Sequence, residues 1–180
     1  LSLILGILVL ASTVQVGVIT APLGIDDASY DGAKWIHSDA ASQGLEYPES
    51  YVLSDWGRNR MFNYVVSGHG RSFSYALGTY EEFARSRTEE RWYAEFREKP
   101  VGYIVTRSDL QHLPPATLHS RLHESVGSDT STADGLGRFR LLYAGGQGSV
   151  KVFRPIEGAV LTGQGPRGEE IVIRTSITPG

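Results

Sequence analysis

The sequence predicts a mixed α/β domain: a small helix-flanked sheet, then C-terminal antiparallel β hairpins, preceded by the stump of a transmembrane helix. Three observations predict it. Up to about residue 126, apolar residues recur at helical spacing in segments that alternate with short runs such as YVLS and VGYIVT. From Gly137 onward the apolar period changes to two, around glycine-rich turns. The first twelve residues, LSLILGILVLAS, carry no charge.

Each element follows from its own residues. Asp26 or Asp27 offers an N-cap, Ala33, Ile36 and Ala40 keep helical spacing, and Gly44 is a natural terminator, which makes one amphipathic helix. SYVLS is a short strand, and DWGRNRMFNYVVSG turns into a helix with Met61, Tyr64 and Val65 on one face, broken by Gly68 and Gly70. Thr79 and Glu82 have the spacing of a capping box. Thr88 followed by Glu89 and Glu90 starts a second helix, with Trp92 and Phe96 one turn apart. VGYIVT, at 101–106, is apolar on both alternating faces, as a strand covered on both sides would be. PPATLHSRLHES then places Leu118, Leu122 and Val126 one turn apart, after prolines at the entry. RFRLLYAGGQGSVKVFRPI reads as a hairpin, and AVLTGQGPRGEEIVIRTSI repeats it. GSDTSTADG is the one long polar loop.

The domain organisation expected from this is the end of a transmembrane helix at 1–18 and an extracytoplasmic globular domain at 19–180. Within that domain the α/β core runs to about 126 and the antiparallel β unit covers 137–177. The leader is shorter than the about 20 residues of a complete span and suits the last turns of one. A signal peptide is the rival, but no basic residue precedes the run and no small-x-small cleavage site follows before Thr13. A buried core helix or strand is the other alternative. No lysine or arginine occurs before Lys34, whereas Asp26, Asp27 and Asp31 do, so the flank lacks the positive charge of a cytoplasmic loop.

Composition narrows the chemistry. At 180 residues, 41% hydrophobic and 21% charged, the chain can bury one core and is not disordered. A net charge of -3 argues against nucleic acid as the main partner. With no cysteine, disulfides, thiolate catalysis and thiolate metal sites are all excluded.

Five sets of residues carry candidate chemistry. Asp55 sits where a strand meets a helix, where it can cap backbone amides or face a ligand at the carboxyl end of the sheet. Arg58, Asn59, Arg60 and Arg71 could grip an anion, while Trp56, Phe62, Tyr64, Phe73 and Tyr75 could stack on a sugar or simply fill the core. His119 and His123 have the spacing of a helical metal pair, with His112, Asp109 and Glu124 nearby; the alternative is a pair of exposed helix histidines. AGGQGS resembles a phosphate loop but lacks its lysine and lies between strands, which makes it a hairpin turn. Ser54 and Ser67 lack the nucleophile elbow that a serine hydrolase would need, although His69 is available.

The stretch TLHSRLHES…GLGRFRLLYAGGQGSVKVFRPIEGAVLTGQGPRGEEIVIRT, with W-I, YP-SYV-SDWG-NR and VGYIVT before it in order, resembles the extracytoplasmic C-terminal domain of archaeal oligosaccharyltransferases, membrane glycosyltransferases of the GT-C class. The likeness covers most of 19–175. In that family Trp-Trp-Asp-Tyr-Gly follows a strand at this point and helps recognise the acceptor sequon. Here Asp55, Trp56 and Gly57 match it loosely, one tryptophan and the tyrosine being absent, and the family's helical Asp-x-x-Lys pattern has no counterpart in YEEFARSRTEERW.

The resemblance implies a non-catalytic acceptor-side domain for protein or surface glycosylation from a polyprenyl-linked donor such as a dolichol-linked sugar. It implies no catalytic residue, metal or cofactor in these residues; the divalent metal belongs to the membrane part. The implied partners are the protein's own transmembrane domain, an acceptor protein or glycan and the lipid bilayer, with the globular part on the extracytoplasmic side of the cell membrane. Asp55, Trp56, Arg58 and Asn59 are the expected acceptor contacts. The alternatives are a membrane-anchored cell-surface binding module without enzyme activity, and a soluble metal-dependent hydrolase with zinc at His119 and His123.

Overall fold

A computed structural model describes residues 24–71, 73–110 and 113–158. The expected transmembrane stump at 1–18, His112 and the second hairpin after residue 158 lie outside the described residues. The chain adopts the mixed α/β class that its periodicities predict. Five helices, α1 (Asp27–Ser42), α2 (Trp56–Ser67), α3 (Phe73–Arg85), α4 (Glu89–Glu98) and α5 (Leu118–His123), surround strands β1 (Tyr51–Leu53), β2 (Val101–Arg107), β3 (Phe139–Gly145) and β4 (Val150–Pro155). Among the described residues no helix is long and apolar enough to cross a membrane.

The four strands form one sheet in the order β1-β2-β4-β3. β1 runs parallel to β2, while β4 is antiparallel to both β2 and β3. The hairpin after Gly137 is therefore not a separate layer: its second strand lies beside the central β2. β3 and β4 are joined through the 3-10 turn Gly146–Gly148, in which Gly146, Gln147 and Gly148 all have positive φ. The glycine-rich loop is thus a hairpin turn, as its position between strands requires.

β2 is buried on both faces because helices cover both. Ile36, Ala40, Val52, Phe62, Tyr103, Val105 and Val152 form one core under α1 and α2. Leu53, Phe83, Trp92, Phe96, Ile104, Leu118, Leu122 and Phe153 form the other under α3, α4 and α5. From Tyr103 to Val105 along β2, successive side chains enter opposite cores, the consequence of a two-residue period.

Two local expectations need correction. The helix expected to begin at the Thr79–Glu82 box begins at Phe73, and Thr79 lies within it on the buried face beside Ala76, Tyr80 and Phe83. Burial of that face outweighs the capping pattern. In α2, the buried face is Asn59, Phe62, Asn63 and Val66, while Met61 and Val65 pack only partly against the core and Tyr64 is exposed. The reason is polar. β1 is an edge strand, and the Val52 N–H donates to Asn63 Oδ1 at 2.9 Å, while Asn59 Nδ2 and Asn63 Nδ2 both donate to the Val52 carbonyl at 2.8 Å. These amides satisfy a strand edge that would otherwise lie buried and unpaired.

Candidate functional site

β1 ends at Leu53 beside Ile104 of β2, which runs on to Arg107, and the chain leaving β1 turns through Ser54 and Asp55 into α2. The carboxyl end of a parallel pair gathers side chains from several loops, which makes it the favoured place for a site in an α/β sheet. Here it gathers charge. Arg107, the last residue of β2, places its guanidinium 3.5 Å from Asp55 Oδ1, 3.3 Å from Asp109 Oδ2 and 3.4 Å from Asp26 Oδ2. Arg58 Nε lies 3.7 Å from the same Asp26 oxygen, and its Nη2 donates to the Gly24 carbonyl at 2.8 Å. Three carboxylates thus surround two guanidiniums, which leaves the knot one charge negative if all are ionised.

Burial separates the acids. Asp26 is pushed up by burial, but hydrogen bonds from the Ser29 amide and hydroxyl, together with Arg107, outweigh this and hold its carboxyl below the usual range. Asp55 goes the other way: burial raises it and Asp109 adds to the rise, against the opposing pull of Arg107 and Arg58. Of the two roles open to Asp55, capping is not the one adopted. It stands at the N-cap position of α2, yet its side chain makes no capping hydrogen bond. Its carboxylate faces Arg107 instead.

Beside this knot opens a cleft of about 370 Å³, lined by Asp55, Trp56, Leu77, Tyr80, Arg85 and Leu113 among others. Ala76, Tyr80 and Ala84, one turn apart on α3, form part of its wall. Tyr80 is buried, donates to the Val105 carbonyl at 2.9 Å, and is held well above its ordinary pKa by desolvation, so it serves as a fixed neutral wall. Trp56 stands at the lip, 53% exposed. An apolar slot with a half-buried carboxylate and an exposed indole at its rim can seat an extended chain or a sugar ring and hydrogen-bond its polar groups.

The structure brings together Asp55, Trp56 and Arg58 of the expected contacts. It corrects Asn59, whose side chain is 0% exposed and is committed to Val52, Tyr51 and Asn63, so it faces the edge strand and not a ligand. Of the possible stacking residues, Phe62 is core, while Arg60 lies over the Phe73 ring at 4.2 Å. Arg107, Tyr80 and Leu77 were not foreseen. The first had a visible signal, a lone arginine ending the buried run VGYIVT at the carboxyl edge of the sheet. The other two became cleft residues only through the packing of α3.

The histidine pair also differs from expectation. His119 and His123 are buried rather than exposed, and their rings stack at 5.5 Å with an angle of 11°. His123 Nδ1 and Thr106 Oγ1 are 3.0 Å apart, which binds α5 to β2. Burial first, then Lys151, brings His123 down to about 4. Among the described residues, no group of three or more His, Asp or Glu is placed to hold a metal ion.

A mixed sheet between two helical layers, with a charged knot and cleft at the carboxyl end of its parallel pair, defines the class of domain. Two crystal structures of the C-terminal globular domain of oligosaccharyltransferase from Archaeoglobus fulgidus have this fold. One is 17% identical, with a TM-score of 0.54, over 74% of this chain and 99% of that domain; the other is 15% identical, with a TM-score of 0.56, over 75% and 99%. The fold of this chain is that of the archaeal oligosaccharyltransferase globular domain, as its sequence resemblance implied. No family model and no curated protein matches the sequence.

Proposed function

We propose that this chain is the non-catalytic, acceptor-side domain of a membrane glycosyltransferase of the oligosaccharyltransferase kind, placed on the extracytoplasmic face and serving a polyprenyl-linked donor held elsewhere in the protein. One observation carries the proposal: a domain with this fold bears an Asp55-Trp56-Gly57 turn at the carboxyl end of β1, with the indole exposed at the lip of a cleft. In this reading Trp56 packs against the acceptor and Asp55 hydrogen-bonds it. Arg107 and Arg58 fix that carboxylate electrostatically, while Asn59 acts at a distance by holding β1 beneath it. The chemistry of bond formation lies outside these residues, so the domain contributes binding and orientation.

The test is Trp56→Ala in the full-length protein. Because the indole is half exposed, the fold should survive, while transfer to an acceptor should fall by roughly ten-fold or more, as expected for loss of an aromatic anchor at a binding centre. Transfer at the wild-type rate by a correctly folded variant would remove this site from the mechanism.

A further inference from the structure

Four of the six large apolar side chains exposed on the described surface, Ile25, Tyr30, Trp56 and Tyr64, lie on one continuous face. Ile25, Tyr30 and Tyr64, exposed to 51%, 47% and 68%, line one groove of about 390 Å³ together with Met61 and Val65. Across Gly57 and Arg60 the same surface continues to Trp56 and Phe73. Clustered exposure of this kind marks a contact surface, whereas isolated exposed residues do not.

The chain enters the domain on this same face. Ile25 lines the groove, and the Gly24 carbonyl before it is gripped by Arg58. Of the residues that precede Gly24, the first twelve form the uncharged apolar run. The eleven residues from 13 to 23 can span at most roughly 40 Å, even fully extended, so the run lies within that distance of this face. The side chains here suit a lipid boundary. Tyrosine and tryptophan seat an apolar ring below the headgroups with a polar tip in water, and arginine lays its stem along apolar surface while its head stays hydrated. Arg60 has no carboxylate partner among the described residues. Asp27 and Asp31 flank Tyr30, with Lys34 3.8 Å from Asp31, so the rim carries no strong positive excess for anionic lipid.

We infer that the groove face formed by Ile25, Tyr30, Arg60 and Tyr64 rests in the headgroup region of the bilayer into which the preceding apolar segment runs. This rests on the membrane anchorage proposed above and adds an orientation to it: α2 lies against the lipid, and α4, on the other side of the sheet, points away.

The test uses the full-length protein carrying Tyr64→Trp, reconstituted into phosphatidylcholine vesicles whose acyl chains are brominated close to the headgroup. The emission that the substitution adds over wild type should fall about two-fold relative to unbrominated vesicles, as expected for an indole at the interface. A matching Glu98→Trp chain, altered at the end of α4, should show no such loss. If vesicles retain the chain but the emission added at position 64 is unchanged, or if both positions are quenched alike, the orientation is wrong while the anchorage stands. If vesicles do not retain the chain at all, anchorage and orientation both fall.

Discussion

Asp55 stands where a helix cap is expected and does other work. Its carboxylate is largely withdrawn from water, which burial penalises, and Arg107 compensates only in part, since that guanidinium is shared with Asp26 and Asp109. A group whose pKa is raised in the folded state costs stability at neutral pH, where it must be ionised. Asp55→Asn, which keeps the shape and removes that cost, should therefore leave the domain at least as stable as wild type at neutral pH while weakening acceptor use. Urea denaturation decides it: a clear loss of stability would mean that the Asp55–Arg107 pair is a structural strut. His123 gives the opposite signature. It titrates near 4 when folded against 6.5 when free, so the unfolded chain binds more protons between those values and stability falls as pH drops through that window. Lowering the pH from about 7 to about 5 should cost on the order of 2 kcal/mol through this group, and denaturation of His123→Gln should show a drop smaller by that amount.

At the scale of elements, α2 is amphipathic in an unusual sense: it turns two asparagines inward and two large aromatics outward. The inward amides do for β1 what a neighbouring strand would do, pairing the N–H and carbonyl of Val52. Asn63→Ala would leave the buried Val52 amide unpaired. It should cost about 3 kcal/mol in chemical denaturation, whereas Tyr64→Ala on the same helix should cost less than about 0.5 kcal/mol. Equal costs would show that the asparagine network is dispensable. This arrangement also explains why the outward face is free for contact: the core is already served by Phe62 and Val66.

For the whole molecule, elements legible in the sequence are those whose signal is local. VGYIVT had to be a strand covered on both sides, because every second residue on either face is apolar, and it is the central β2. Asp26 as cap and Gly44 as terminator framed α1 correctly, since caps depend on backbone groups within a turn. Trp92 and Phe96, one turn apart behind Thr88, marked α4 in the same way. The misreadings share a cause. Thr79–Glu82, the inward face of α2 and the supposedly exposed histidines each looked one way by local pattern and were decided by a partner distant in sequence. Those partners are the core facing α3, the free edge of β1, and Thr106 under α5. At the site, the Asp55-Trp56-Gly57 turn was readable because it follows a strand. The cleft was not, because Tyr80, Arg85 and Leu113 reach it only once α3 packs beside α2.

The sequence by itself determined where most of the described helices and strands lie, that β2 is interior, that thiol chemistry is excluded, and that the fold resembles the oligosaccharyltransferase globular domain. All of these follow from periodicity, composition and the order of motifs along the chain. Only the tertiary structure decided that Asn59 holds an edge strand, that Arg107 draws Asp26, Asp55 and Asp109 into one knot, and that the apolar groove lies where the chain enters. Such pairings depend on which surfaces meet, and the free energy of burying a polar group is set by the partner it finds there.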